Sequence, residues 1–381
     1  MTAKLRGLIS LSETTRAVLD SDAESIITST AALPFLIADQ SQQSPVLVVT
    51  HSSQRATNLV SELSEICDGI LEFPAWETLP HEKLSPKADT VAARFKVLNK
   101  LTNKEVKIVV CSIRAFLQPI ISNNLETSLI QVKSGKLIQM QDLTTQLIRF
   151  GFSKSDLVER RGDFAVRGGI LDIFPADQEH PIRIDFFDDE IEEISSFSIS
   201  DQRSIERLEQ EVNIFPCREL LLDNEIKRRA KELGEEFPAI KSLTEKVAEG
   251  IAFEGMESLA AGLVDEFKSI LDFLPKATQL WLIDEPRLNS RSYDLLETNS
   301  EFLEAAWSNL AWSENINSES PIGLSNTLKK GGYFEFEIIK QQAIDKGLTI
   351  KTLNFYASNP EDYQVDFLAE MQSFGNQYEK A

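Results

Sequence analysis

Apolar positions follow two periods along this chain, and the switches between them divide it. In "SPVLVVTHSS" (44–53) consecutive apolar residues read as a strand buried on both faces of a parallel sheet. The following "QRATNLVSELSEI" repeats its apolar residues at helical spacing, as does "DTVAARFKVLNKLTN", which precedes a second buried strand, "EVKIVVCSI" (105–113). Strands alternating with helices predict a βαβ domain over residues 1–125. Inside it "LEFPAWETLPHEKLSPKADT", dense in proline and turn formers, reads as an ordered loop, with Trp76 expected to pack on the sheet of that domain.

Across residues 126–215 the period becomes two. "FAVRGGILDIFP", "HPIRIDFF" and "DEIEEISSFSI" are short strands separated by turn formers, close enough in sequence for an antiparallel meander. From Arg218 the helical period resumes, through "ELLLDNEIKRRAKELGEEF" to "GLVDEFKSILDFL", so residues 216–350 read as largely helical. Within them "QLWLIDEP" (279–286) is a strand expected to rejoin the first sheet, and 351–381 read as a linker into a following region. The fold class expected is α/β, interrupted by a β-rich insert and a helical one.

Alternation along "PIRIDFF" places Ile182, Ile184 and Phe186 on one strand face and Arg183, Asp185 and Phe187 on the other. The second set is unusual, because a phenylalanine stands beside an arginine on the polar side. If "PADQEHP" is a hairpin loop centred near Asp177–Gln178, Arg167 and Gly168 come opposite Phe187. Arg167, Arg183 and Phe187 would then share one exposed face, the chemistry of a protein–protein hot spot. Salt bridges within the chain, or cover from the helical insert, explain the same residues equally well. Gly168 and Gly169 fit a bulge or a close backbone approach in either case.

Composition narrows the function classes. The 381 residues carry 39 Lys and Arg against 60 Asp and Glu, a net charge of −21. Nowhere do the cations cluster into the basic stripe that phosphate backbones require, so the chain itself is not read as a nucleic-acid binder. No apolar run approaches the roughly 20 residues of a membrane span. The N-terminal "MTAKLRGLISLSETTRAVLD" lacks the pattern of a signal peptide, and the expected compartment is the cytoplasm. Cys67, Cys111 and Cys217 are far apart and form no CxxC pair, and His51, His81 and His180 are scattered, so neither a metal site nor a hydrolytic triad is expected.

Two acidic motifs remain. "LWLIDEP" ends in Asp284 and Glu285, the form of a Walker B strand whose carboxylates hold Mg²⁺. Its partner would be a glycine-rich phosphate loop, yet no glycine occurs between Gly7 and Gly69. Asp284 and Glu285 therefore read as relics or as helix caps, with no nucleotide site. Asp172 and Asp185, with the acidic run 183–194, have the form of a nuclease-like metal pair, but no lysine lies near to assist, and exposed-face residues explain them better.

The stretch "VERRGDFAVRGGILDIFP…HPIRIDFFDDEIEEISSFSISDQRSIE", with "FPAWETLPHEKLSPKADTVAARFKVL" and "LWLIDEPRL", closely resembles the N-terminal UvrB-homology module of the bacterial transcription-repair coupling factors, the Mfd family. The resemblance implies a degenerate RecA-like domain 1A over 1–125 and a β-rich domain 2 over 126–215. A largely helical domain 1B would follow over 216–350, the whole without the ATPase motifs of UvrB. It implies docking of the excision-repair protein UvrA on domain 2. The family frame "xRGxxLDxFP…RxDFF" places the docking residues on Arg167, Arg183 and Phe187, with Gly168, Gly169, Asp185 and Phe186 shaping the surface. It further implies masking of that surface by the C-terminal domain of the full-length protein. RNA polymerase, DNA and ATP with Mg²⁺ would be engaged only through motor and polymerase-interaction domains that follow this module, so no activity, cofactor or catalytic residue is expected here.

Overall fold

The computed structural model describes residues 25–80, 82–121, 129–313, 327, 330–355 and 363–364. The N-terminal reading, His81 and most of the proposed linker lie outside these residues.

The first part of the chain runs β1 (Ser25–Ile27), α1 (Leu33–Gln40), β2 (Val46–Thr50), α2 (Ser53–Ser64), β3 (Ile70–Phe73), α3 (Ala88–Thr102), β4 (Ile108–Ser112) and α4 (Ile113–Leu117). The second runs β5 (Ile130–Val132), α5 (Met140–Arg149), β6 (Ser153–Lys154), β7 (Asp163–Arg167), β8 (Ile170–Ile173), β9 (Ile182–Phe187), β10 (Glu190–Phe197), β11 (Ser204–Arg207) and β12 (Val212–Ile214). Helices α6 (Asn224–Glu236), α7 (Lys241–Glu249) and α8 (Ala260–Leu263) follow. The chain then returns through β13 (Gln279–Ile283), α9 (Glu285–Ser313), α10 (Phe336–Asp345), β14 (Thr349–Asn354) and β15 (Tyr363–Gln364).

Seven strands form a parallel sheet in the order β15-β1-β14-β13-β2-β4-β3. The consecutive apolar residues of its central strands divide between two cores. Leu47, Val49, Val109, Cys111, Leu280 and Leu282 point to one side, where Leu98, Phe116, Leu288 and Ile339 cover them. Val46, Val48, Ile108, Val110, Trp281 and Ile283 point to the other, under Leu36, Ile37, Leu59 and Leu63. Burial of both faces is what makes such strands read as unbroken apolar runs. Ser52 caps α2 by accepting a hydrogen bond from Arg55 N at 3.3 Å, which fixes where β2 hands over to the helix.

The middle segment forms a six-stranded sheet, β11-β10-β9-β8-β7-β6, antiparallel except where β6 meets β7. Its inner face (Phe164, Leu171, Ile173, Ile182, Ile184, Ile191, Ile194) packs on Leu143 and Leu147 of α5 and on Val91 and Phe95 of α3. Because α3 also sends Val97 and Leu98 into the parallel sheet, one helix belongs to both cores and ties the two sheets together.

Three expectations need correction. "FAVRGGILDIFP" is two strands, β7 and β8, folded back at Gly168–Gly169, because two glycines can supply a two-residue turn whose first position has φ +58°. The Trp76 loop is ordered, but its indole leaves the sheet and enters the helical core with Ile121, Leu220, Leu233, Met256 and Leu259. The indole needs an acceptor inside that core, and Glu219 Oε1 accepts from Nε1 at 2.9 Å. Finally, β13 rejoins the parallel sheet as the sequence suggests, but α9, α10 and β14 join its layers too, and residues 351–354, read as the start of a linker, are the greater part of β14.

Candidate functional site

Sheet register places the candidate residues. Ala165, Asp172, Arg183 and Ser195 stand opposite one another across β7, β8, β9 and β10. Arg167, Ile170, Asp185 and Glu193 form the next row on the same face. Phe187, two residues beyond Asp185, continues that face toward the β9–β10 turn. The three residues named from sequence thus share a face, although Arg167 arrives there two strands away from β9 and not directly opposite Phe187.

The face changes character along its length. At one end Val158, Ala165, Phe174 and Phe197 form a small buried cluster. Arg183 lies over the Phe197 ring, 4.8 Å from its centroid, and donates through Nε and Nη2 to Asp172 at 2.7 and 2.9 Å. Nη1 donates to the Gln202 carbonyl at 3.3 Å. Asp172 is only 1% exposed and the Arg183 side chain 19%, so this guanidinium is already committed within the chain. The nuclease-like reading of Asp172 ends with this pair, since both carboxylate oxygens are occupied by Arg183.

At the other end the face is open. Arg167 is exposed, and its Nη2 donates to the Asp156 carbonyl at 3.1 Å; among the described residues no carboxylate pairs with it. Phe187 is 69% exposed, whereas its neighbour Phe186 tucks its ring against the inner core. Gly169 allows the β7–β8 turn to lie against β9: Phe186 N–H donates to its carbonyl at 2.8 Å, and a Cβ there would stand 3.1 Å from the Phe186 oxygen. Gly168 faces open space. Asp188, at φ +51°, turns the chain immediately after Phe187. Burial pushes the Asp185 carboxyl above the usual range; Arg183 opposes this, while Glu193, Asp172 and Glu192 add to it.

The other motifs are structural here. Asp284 joins β13 to α9, its carbonyl accepting from Arg287 and Leu288 N at 2.9 and 3.0 Å. Its carboxylate pairs with Arg287 at 3.1 Å, and Glu285 pairs with Lys340 at 2.6 Å. Burial pushes the Cys111 and Cys217 thiols up, leaving neither as a nucleophile. Among the described residues no cluster of His, Cys, Asp or Glu could hold a metal ion, and no helix is long and apolar enough to cross a membrane. Clefts of about 790 and 740 Å³ lie between α3 and β11–β12 and between α5 and α6; neither includes Arg167, Arg183 or Phe187. The candidate site is a surface, not a pocket.

One contributor escaped the sequence reading. Residues 135–138 lie along the start of β10, where Leu137 faces Glu190 and is 76% exposed. In "SGKLIQM" the Ser134–Gly135 pair marks a turn, at Gly135 φ +81°, but no alternation long enough to mark Leu137 as part of the face follows it.

Residues 130–220, which hold the whole antiparallel sheet and this face, match the UvrB interaction domain family. The matched segment is the β-rich part of a mixed α/β fold. It is 34% identical to the transcription-repair-coupling factor of Mycobacterium bovis over 374 residues, 93% of this chain and 30% of that protein. It is 31% identical to the protein of the same name from Bacillus subtilis over 77% of this chain, and 31% to that from Escherichia coli over 51%. The chain belongs to the transcription-repair-coupling factor family and spans about 30% of the length of the Mycobacterium bovis relative.

Proposed function

We propose that this chain is the UvrA-recruiting part of a transcription-coupled nucleotide excision repair factor, acting as an adaptor without nucleotide turnover of its own. The observation that carries the reading is the open end of the antiparallel sheet. Arg167 and Phe187 stand exposed on one face inside the segment that matches the UvrB interaction domain. A guanidinium with no carboxylate partner among the described residues, on the same sheet face as a solvated ring, suits a protein partner that supplies an acid and an apolar socket.

In this reading Arg167 and Phe187 touch UvrA directly. Arg183 is a positioning residue, since its fork already holds Asp172 and stiffens β8 against β9. Gly168, Gly169, Asp185 and Phe186 shape the surface. The parallel sheet is a degenerate RecA-like scaffold, domain 1A, carrying domain 2 (the antiparallel sheet) and domain 1B (α6 to α8) as inserts. The pairing of Asp284 with Arg287 and of Glu285 with Lys340, and a β1–α1 connection without glycine, support the absence of ATP hydrolysis. RNA polymerase, DNA and ATP with Mg²⁺ belong to other parts of the full-length relatives, and a C-terminal domain of such a protein would compete for the same face.

Co-migration of the chain with UvrA in size-exclusion chromatography, without nucleotide, tests the adaptor role. Absence of a complex at tens of micromolar would reject it. A rise in melting temperature with ATP and Mg²⁺ would favour a UvrB-like nucleotide-binding module instead.

A further inference from the structure

Phe187 closes the β9–β10 turn directly opposite Glu190, and Glu190 stands opposite Leu137. The second pairing is of the non-hydrogen-bonded type. Ile138 N–H donates to the Asp189 carbonyl at 2.8 Å and Ile191 N–H to the Lys136 carbonyl at 3.0 Å, flanking the Leu137–Glu190 pair. Residues opposite one another in such a ladder project from the same face. Phe187, Glu190 and Leu137 therefore form one cross-strand row, with the two apolar side chains two strand spacings apart, about 10 Å.

Both ends of that row are solvated, and the rest of it is acidic. Asp188, Asp189, Glu190 and Glu192 are exposed around it, with Asp185 and Glu193 half-buried behind. Arg167 and Arg207, which pairs with Glu193 at 3.3 Å, are cations on this face; around the row itself the exposed charges are acidic. An apolar pair spaced in this way within a ring of carboxylates fits a partner with two apolar sockets set in a basic rim, not a second copy of this acidic chain.

We infer that Leu137 is a second apolar anchor of the docking surface, engaging the same protein partner as Phe187. The inference rests on the proposed docking role and deepens it: the contact extends from β9 across β10 to a segment before α5. Leu137 makes no described hydrophobic-core contact, so its replacement should leave the fold intact.

The test is titration of UvrA into the full chain and into Phe187→Ala, Leu137→Ala and Leu137→Met variants, each checked by its melting curve. The expected result is affinity at least about tenfold weaker for Leu137→Ala, a fall comparable to a hot-spot truncation. Leu137→Met, which keeps the apolar volume, should bind within about threefold of the parent. If Phe187→Ala weakens binding and Leu137→Ala does not, the second anchor is wrong and the docking role stands. If the parent chain does not bind, or Phe187→Ala binds as the parent does, the docking role fails and the inference with it.

Discussion

Arg94, Arg183 and Arg167 each share a region of the fold with aromatic residues, and burial separates framework from surface among them. Arg94 is fully buried, 4.4 Å from the Phe73 ring centroid and 5.8 Å from that of Trp76, with Glu219 paired to its Nε and the Pro74 carbonyl at 2.8 Å. Arg183 sits half-buried on Phe197 with Asp172. Arg167 and Phe187 share the open end of the same sheet face, where no carboxylate pairs with Arg167 and no core covers Phe187 among the described residues. Residue types are alike at all three places, so composition cannot rank them. What ranks them is whether the fold itself supplies the acid and the apolar cover.

The deepest cluster should respond most to a broken partner. Glu219→Ala leaves a buried guanidinium unpaired and removes the acceptor of Trp76, and is expected to cost about 3–5 kcal/mol in urea unfolding. A double variant, Arg94→Met with Glu219→Leu, should recover much of that loss, because two apolar side chains avoid the desolvation that an unpaired charge incurs. Equal stability of Glu219→Ala and the parent would show that this cluster does not bind the modules together.

Arg183→Ala strips both hydrogen bonds from buried Asp172, and about 2 kcal/mol of destabilisation is expected in the same measurement. A loss of UvrA binding in that variant would then report partly on the sheet. Lys at this position cannot reproduce the two-pronged contact, so Arg183→Lys should be intermediate.

Phe187→Ala is the contrasting case. With the ring in solvent, its removal should change stability by less than about 0.5 kcal/mol. A drop of several kcal/mol would mean that the ring is packed within the chain, and the distinction between framework and surface would fail at its most exposed member.

Asp185→Asn should give the smallest effect, and one that depends on pH. The folded carboxyl holds its proton to a higher pH than the unfolded one, whose ordinary value is 3.8. Stability from this group is therefore greatest at acid pH and declines as pH rises from about 4 through the raised folded value. The amide should flatten that slope and leave the protein within about 0.5 kcal/mol of the parent at pH 7, slightly on the stable side. Melting temperatures between pH 4 and 7 would show it; a steeper slope in the variant would contradict it.

Much of this arrangement was legible from periodicity. Consecutive apolar residues in β2, β4 and β13 marked a sheet covered on both sides, and alternation in β9 separated Ile182, Ile184 and Phe186 from Arg183, Asp185 and Phe187. Contacts made at long sequence separation were not legible. Trp76 meets Glu219, 143 residues away, and no local pattern distinguishes that destination from the nearer sheet. Arg167 would stand opposite Phe187 only if residues 163–173 ran on as one strand, and the Gly168–Gly169 turn instead carries it back one strand further, onto β7. Leu137 joined the face through two backbone hydrogen bonds from an irregular segment, which alternation cannot foresee. Alternation names the residues on a face; only the folded chain shows which of them are already occupied.

The most direct test of the docking surface is calorimetric titration of this chain with UvrA beside Arg167→Ala and Phe187→Ala variants whose melting curves match the parent. Loss of about 2–4 kcal/mol of binding free energy in each, with stability unchanged, is the predicted result. Parent-like affinity in both folded variants would show that the open end of the sheet is not where UvrA binds.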